Sequence, residues 1–169
     1  MPRAEERQAE AVAEDDAEGI RISYVLGRLD RALRLHLDEA LKPYGITTPQ
    51  FTALSVLRRR DALSNAQLAR RSLITPQSMF SVLKALERKG LIERQPSPDH
   101  RRVLFTRLTA AGLAQLERCD EAVDAVEAEL LADFSAAEGG ILLALATRGV
   151  RNLHAGLEGR NGHGESQLD

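Results

Sequence analysis

Between Ser64 and Arg102, hydrogen-bonding and cationic side chains recur at spacings that suit the recognition of a polyanion carrying bases. Thr75, Gln77, Ser78, Ser81, Lys84 and Arg88 fall outward on a stretch whose apolar stripe is Met79, Val82, Leu83 and Leu86. A Gln carboxamide matches the donor and acceptor of adenine, and a Lys ammonium suits guanine or a phosphate. Ser64, Asn65, Arg70 and Arg71 suit phosphate contacts, which position a protein rather than specify a sequence. Thr75 can cap a helix, and a hydroxyl at a helix N-terminus also meets phosphates. Arg94, His100, Arg101 and Arg102 belong to a hairpin, and an arginine at a loop tip can enter a narrow minor groove. Taken singly, Gln77, Ser78, Ser81 and Lys84 read better as ordinary solvated surface.

The charge distribution sharpens the reading. The 169 residues carry a formal net charge of −2, which by itself argues against a polyanionic partner. By segment it argues the other way. Residues 1–19 hold 2 basic and 7 acidic side chains, residues 20–50 hold 5 and 3, residues 51–110 hold 12 and 4, and residues 111–169 hold 4 and 11. A basic module with a balance of +8 therefore lies between acidic flanks. Within it, Arg58, Arg59 and Arg60 read as a solvated helix end rather than as contacts.

Other chemistries find little support. There is no Gly-rich phosphate loop and no nucleophile elbow, so an enzyme is not expected. His36, His154 and His163 are scattered, and no His, Cys, Asp or Glu cluster has metal-site spacing; no cofactor is expected. Cys119 is the single cysteine, which excludes an internal disulfide and suits a reducing, cytoplasmic location. It reads as a small buried residue. No apolar run approaches the roughly 18 residues of a membrane span, and the acidic segment 1–19 lacks the apolar region of a secretory signal.

The elements that must position these residues follow from periodicity. Segment 1–19 is expected to be a disordered acidic extension. Ile22, Val25, Leu26, Leu29, Leu33, Leu37 and Leu41 predict one long amphipathic helix ending near Lys42, ahead of Pro43 and Gly45. Thr48-Pro49-Gln50 opens a second helix with a cap hydroxyl from Thr48 and Pro at the first turn, and with Phe51, Leu54 and Leu57 inward. Ser64 caps a short helix over 65–72, and Thr75-Pro76 starts another that stops at Gly90. Residues 91–94 and 103–108 read as strands around a loop with two prolines. Thr109 caps a long helix over 110–132, striped by Leu113, Leu116, Val123, Val126, Leu130 and Leu131. Ser135 caps a last helix over 136–157, and a polar, Gly-rich tail over 158–169 is expected to be disordered. The fold class is mainly α with a small β-hairpin wing. Two short helices followed by a hairpin make a winged helix-turn-helix, whose second helix enters the major groove.

Several motifs resemble the multiple-antibiotic-resistance-regulator (MarR) family. They are Pro43-Tyr44-Gly45-Ile46-Thr47-Thr48-Pro49-Gln50-Phe51, Leu68-Ala69, Gly90-Leu91-Ile92-Glu93-Arg94, the wing Asp99-His100-Arg101-Arg102, and Leu108-Thr109-Ala110-Ala111-Gly112. The resemblance spans about residues 20–157. It implies a homodimeric, non-enzymatic transcriptional regulator, most often a repressor, that binds a pseudo-palindromic duplex DNA operator. Many members are released by small phenolic or lipophilic ligands. The implied organisation is an N-terminal dimerisation helix over 20–47, a DNA-binding lobe over 48–109 and C-terminal dimerisation helices over 110–157. Arg21, Tyr24, Arg28 and His36 become candidate effector contacts, an Arg suiting an anionic aromatic. A winged-helix module for protein–protein contact is the alternative; it would carry acidic or apolar side chains on the outer face of the third helix.

Two positions depart from the family pattern. Counting from Asp99 places Arg101 in the minor groove, whereas counting back from Leu108 places Arg102 there. Phe80 falls where a small polar residue is common. It suits a contact with a thymine methyl or sugar, or burial against the neighbouring short helix as core. Some relatives sense oxidants through a first-helix cysteine; this chain has none there.

Overall fold

The structure, a computed structural model, describes residues 19–60, 62–96 and 103–162. In chain order its elements are α1 (Ile22–Leu41), a 3-10 turn (Lys42–Tyr44), α2 (Thr48–Arg59), β1 (Leu63–Ser64), α3 (Asn65–Arg71), α4 (Pro76–Arg88), β2 (Ile92–Pro96), β3 (Leu104–Leu108), α5 (Ala110–Leu130) and α6 (Ala136–Gly162). These described residues divide into two compact units, one ending at Val126 and the other beginning at Glu127, inside α5.

The first unit closes on a core of Leu41, Leu54, Leu68, Met79, Leu83, Leu86, Leu116 and Cys119, all fully buried. Each helix contributes one stripe. The spacing 79, 83, 86 puts three side chains of α4 on one inward face, which leaves its other face to solvent. Local hydrogen bonds set the ends. The Gln50 side chain accepts from the Thr47 N–H at 3.4 Å at the start of α2. Thr48, expected to supply the cap hydroxyl, instead donates to Asp38 Oδ1 of α1 at 2.6 Å. Ser64 and Gln67 form a reciprocal capping box on α3, with bonds of 2.9 and 3.3 Å. Gly90 takes φ +70° and ends α4, while the Leu91 N–H reaches back to the Leu86 carbonyl.

The sheet is three-stranded and antiparallel, in the order β1-β3-β2. Ile92 pairs with Leu108 and Pro96 with Leu104; Ser64 pairs with Phe105. The β1 pairing was not expected, because two residues carry no period. Strand β2 runs two residues past Arg94. It lies on the sheet edge, where a proline is tolerated. Thr109 and Gly112 join sheet to α5. The Thr109 hydroxyl donates to the Gly90 carbonyl at 2.7 Å and accepts from the Gly112 N–H at 3.0 Å. A Cβ on Gly112 would lie 1.9 Å from the Leu91 carbonyl oxygen, so only glycine permits this approach.

In the second unit, Ser135 caps α6 as expected. Its hydroxyl and N–H both donate to Glu138 Oε2, at 2.6 and 2.8 Å. Those bonds hold the Glu138 carboxyl below its ordinary pKa. Helix α6 continues to Gly162, beyond the expected end at Leu157. The segments 1–18 and 163–169 lie outside the described residues. Among the described residues, no helix is long and apolar enough to cross a membrane.

Candidate nucleic-acid interface

Helices α3 and α4 form the helix-turn-helix. The turn between them is held by the Ser72 N–H to the Leu68 carbonyl and the Ile74 N–H to the Ala69 carbonyl, and Leu73 takes a left-handed φ of +56°. Thr75 caps α4, its hydroxyl accepting from the Ser78 N–H at 3.1 Å and bonding the Ser78 hydroxyl at 2.8 Å. Two leucines and a methionine anchor the inner face. On the outer face Gln77, Ser81, Lys84 and Arg88 are all exposed. This is the arrangement expected of a groove-reading helix: rigid below, polar and cationic above. The Ser81 hydroxyl meanwhile rests on the Gln77 carbonyl at 3.4 Å.

The candidates for phosphate contact divide. Arg70 and Arg71 end α3 at the surface. Ser64 is half-buried and committed to its capping box. Asn65 turns inward, against expectation: its Nδ2 donates to the Pro76 carbonyl at 3.0 Å, tying the starts of α3 and α4 together. Its Oδ1 is buried and unpaired. As placed, it is a strut between the two helices rather than a surface group.

Arg94 is a second correction. Expected among the wing contacts, its side chain is 14% exposed and lies against α4, with Nη1 3.8 Å from Glu87 Oε2. Phe80 is the third. The reading that buries it as core fails, since the ring is 50% exposed and faces the Arg94 guanidinium, 5.8 Å from its centroid. No sequence spacing links residue 80 to residue 94; only the pairing of β2 with β3 beside α4 brings them together. His100, Arg101 and Arg102 lie outside the described residues.

Part of the positive surplus is paired within the chain. Arg58 pairs with Asp120, joining α2 to α5, so it is not part of a free solvated face. Lys89 donates to the Gly45 carbonyl and, at 3.0 Å, to Gln50 Oε1. Charge counting does not reveal these pairings.

The effector candidates sit on α1 and at its N-cap. The Arg28 guanidinium lies 5.9 Å from the Tyr24 ring centroid, and Arg21, Tyr24, Arg28 and His36 are all exposed. Twelve residues of helix separate His36 from Tyr24 by about 18 Å, so one chain does not gather the four into a pocket. An open groove of about 590 Å³ lies elsewhere in the first unit, lined by Tyr44, Ala114, Glu117, Arg118 and Glu121. There Arg118 stacks 5.8 Å from the Tyr44 ring centroid. Cys119 is buried, as expected, and burial pushes its thiol pKa up. Among the described residues, no group of three or more His, Cys, Asp or Glu could hold a metal ion.

Comparison with known proteins agrees with this geometry. The family model described as MarR family matches residues 44–103. The HTH-type transcriptional repressor Rv2887 of Mycobacterium tuberculosis is 38% identical over 71% of this chain and 86% of its own length. The structure of the same protein with DNA matches at a TM-score of 0.64 and 32% identity, over 76% of this chain and 97% of that one. Its structure with salicylic acid matches at 0.65 and 35%, over 78% and 98%. Apo MarR from E. coli matches at 0.68 and 26% identity, over 76% and 96%. The relatives are named as regulators and not as enzymes. With a winged helix-turn-helix carrying a polar, cationic outer helix face, this chain belongs to the MarR family of DNA-binding transcriptional regulators.

Proposed function

We propose that the protein is a cytoplasmic homodimeric repressor that binds a pseudo-palindromic operator and leaves it when a small aromatic anion binds. The observation that carries the DNA-reading part is the outer face of α4. Gln77, Ser81, Lys84 and Arg88 are exposed on a helix whose inner face is fixed by Met79, Leu83 and Leu86. In this reading Gln77 contacts adenine, Lys84 contacts guanine or phosphate, and Thr75 and Ser78 meet the backbone at the helix N-terminus. Arg70 and Arg71 hold phosphates, and Arg101 or Arg102 enters the minor groove. A protein-docking module is disfavoured because that face is polar and cationic.

The dimer reading rests on uncovered apolar surface. On α1, Ile22, Val25 and Leu26 are at least half exposed. On α6, Ile141, Leu143, Leu145 and Leu153 are likewise. Two copies would place two α4 helices in successive major grooves roughly 34 Å apart. An effector that favours a different spacing lowers affinity by its differential binding to that state. The salicylic acid complex of the Mycobacterium tuberculosis relative supports an aromatic anion, for which the exposed Arg28–Tyr24 pair offers a cation beside a ring.

The test is a mobility shift with duplexes from the region upstream of the protein's own coding sequence. We expect two chains per bound duplex and release on adding salicylate. Failure to retard any such duplex, or one chain per duplex, would overturn the reading. Retention of the complex in saturating salicylate would remove that effector. Arg101→Ala and Arg102→Ala, tested separately, should differ in cost and so identify the wing arginine.

A further inference from the structure

Gln77, Phe80 and Lys84 stand three and four residues apart, which places them on one side of α4. All three are exposed, so a phenyl ring sits between an amide and an ammonium group. A ring of this size is usually buried. Here it is held outward. The Arg94 guanidinium lies over it at 5.8 Å, within the range of a cation–π contact. Arg94 in turn is fixed from β2, with little exposure of its own, by Glu87 two turns further along α4. Its Nε is buried without a hydrogen-bond partner, so the ring and Glu87 are what orient the guanidinium. The result is a clamp: the carboxylate holds the guanidinium, and the guanidinium covers part of the ring while half of the residue stays accessible.

We propose that Phe80 is a specificity-determining residue that reads the 5-methyl group of a thymine, and that Arg94 is a positioning residue that holds Phe80 there without touching DNA. The proposal rests on α4 entering the major groove. In that groove the thymine methyl is the apolar feature of the base edges; the others are hydrogen-bond donors and acceptors that a phenyl ring cannot satisfy. Phosphates offer the ring nothing. Arg94, largely covered and turned toward Phe80 and Glu87, makes no phosphate contact in this account.

The experiment uses the full chain and a duplex selected from a random library by that chain. Each thymine is replaced in turn by deoxyuridine, which removes only the methyl. One thymine per half-site should lose about fourfold in affinity, the effect of one buried methyl group. Phe80→Ala should bind the thymine and deoxyuridine duplexes equally. Arg94→Ala should blunt the same discrimination and leave the salt slope of binding unchanged, whereas loss of a phosphate contact would lower it by about 1. Should Arg94→Ala fail to fold, Arg94→Lys keeps a cation for Glu87 but loses the planar stacking surface, and should blunt the discrimination as well. The proposal is overturned if the wild type tolerates deoxyuridine everywhere, or if Phe80→Ala keeps the discrimination. Equal weakening of both duplexes by the Arg94 variants, or a lowered salt slope, overturns the role of Arg94. Selection of no duplex at all would instead remove the DNA-reading function itself.

Discussion

Helix α4 and the first half of α1 both carry a periodic apolar stripe, but the stripes meet different fates. Met79, Leu83 and Leu86 of α4 are fully buried within the first unit. Ile22, Val25 and Leu26 of α1 remain half exposed or more, although Leu41 at the other end of the same helix is fully buried. A helix whose apolar face is satisfied can present its polar face to a polar partner. One whose apolar face is open calls for another apolar surface. The two regions therefore predict separable defects: damage to α4 weakens the lobe and DNA reading, and damage to the start of α1 weakens association.

The largest effect is expected from the satisfied stripe. Leu83→Ala leaves a cavity in a closed core and should lower the unfolding free energy by about 2–5 kcal/mol in urea titrations. The open stripe should respond differently. Val25→Asp combined with Leu26→Asp should leave the helical circular dichroism of the lobe intact yet raise the dissociation constant of the proposed dimer by about 100-fold, which is about 2.7 kcal/mol, in sedimentation equilibrium. An unchanged constant would contradict a dimer contact at the start of α1.

Gly112→Ala sharpens the contrast from the other side, because it forces a methyl against the Leu91 carbonyl. A loss of about 1–3 kcal/mol is expected, read from urea unfolding, with the dimer constant unaffected. Cys119 gives the smallest and most local effect. Burial raises its thiol pKa, so its contribution to stability is complete below the ordinary thiol range and fades as pH rises through the folded-state value. Iodoacetamide at neutral pH should label it slowly in the native chain and quickly in urea. Rapid native labelling would show that the α2–α5 core opens.

What was legible in the sequence follows the same division. Helix stripes and three of the caps were readable because they depend on residues three or four apart: Ser64 with Gln67, Thr75 with Ser78, and Ser135 with Glu138 all make their cap bonds, whereas the cap of α2 falls on Thr47 rather than Thr48. The family motif around Thr109 and Gly112 was recognisable, but its cause, contact with Gly90 and Leu91, required the fold. Pairings across long separations were not readable. Arg58 with Asp120, Lys89 with Gly45 and Arg94 with Phe80 join elements that meet only in three dimensions. Hence a basic count located the cationic module but did not show that Arg94 lies largely covered against α4. Strand β1 escaped notice because two residues have no pattern, and its pairing with β3 is what completes the sheet.

The most direct test of the central claim, that α4 and its neighbours grip duplex DNA through exposed cations, is the affinity of the full chain for its selected duplex as salt rises from about 50 to about 200 mM. A fall of about 10³–10⁵-fold is expected, as for six to ten phosphate contacts. Affinity that stays constant across that range would contradict it.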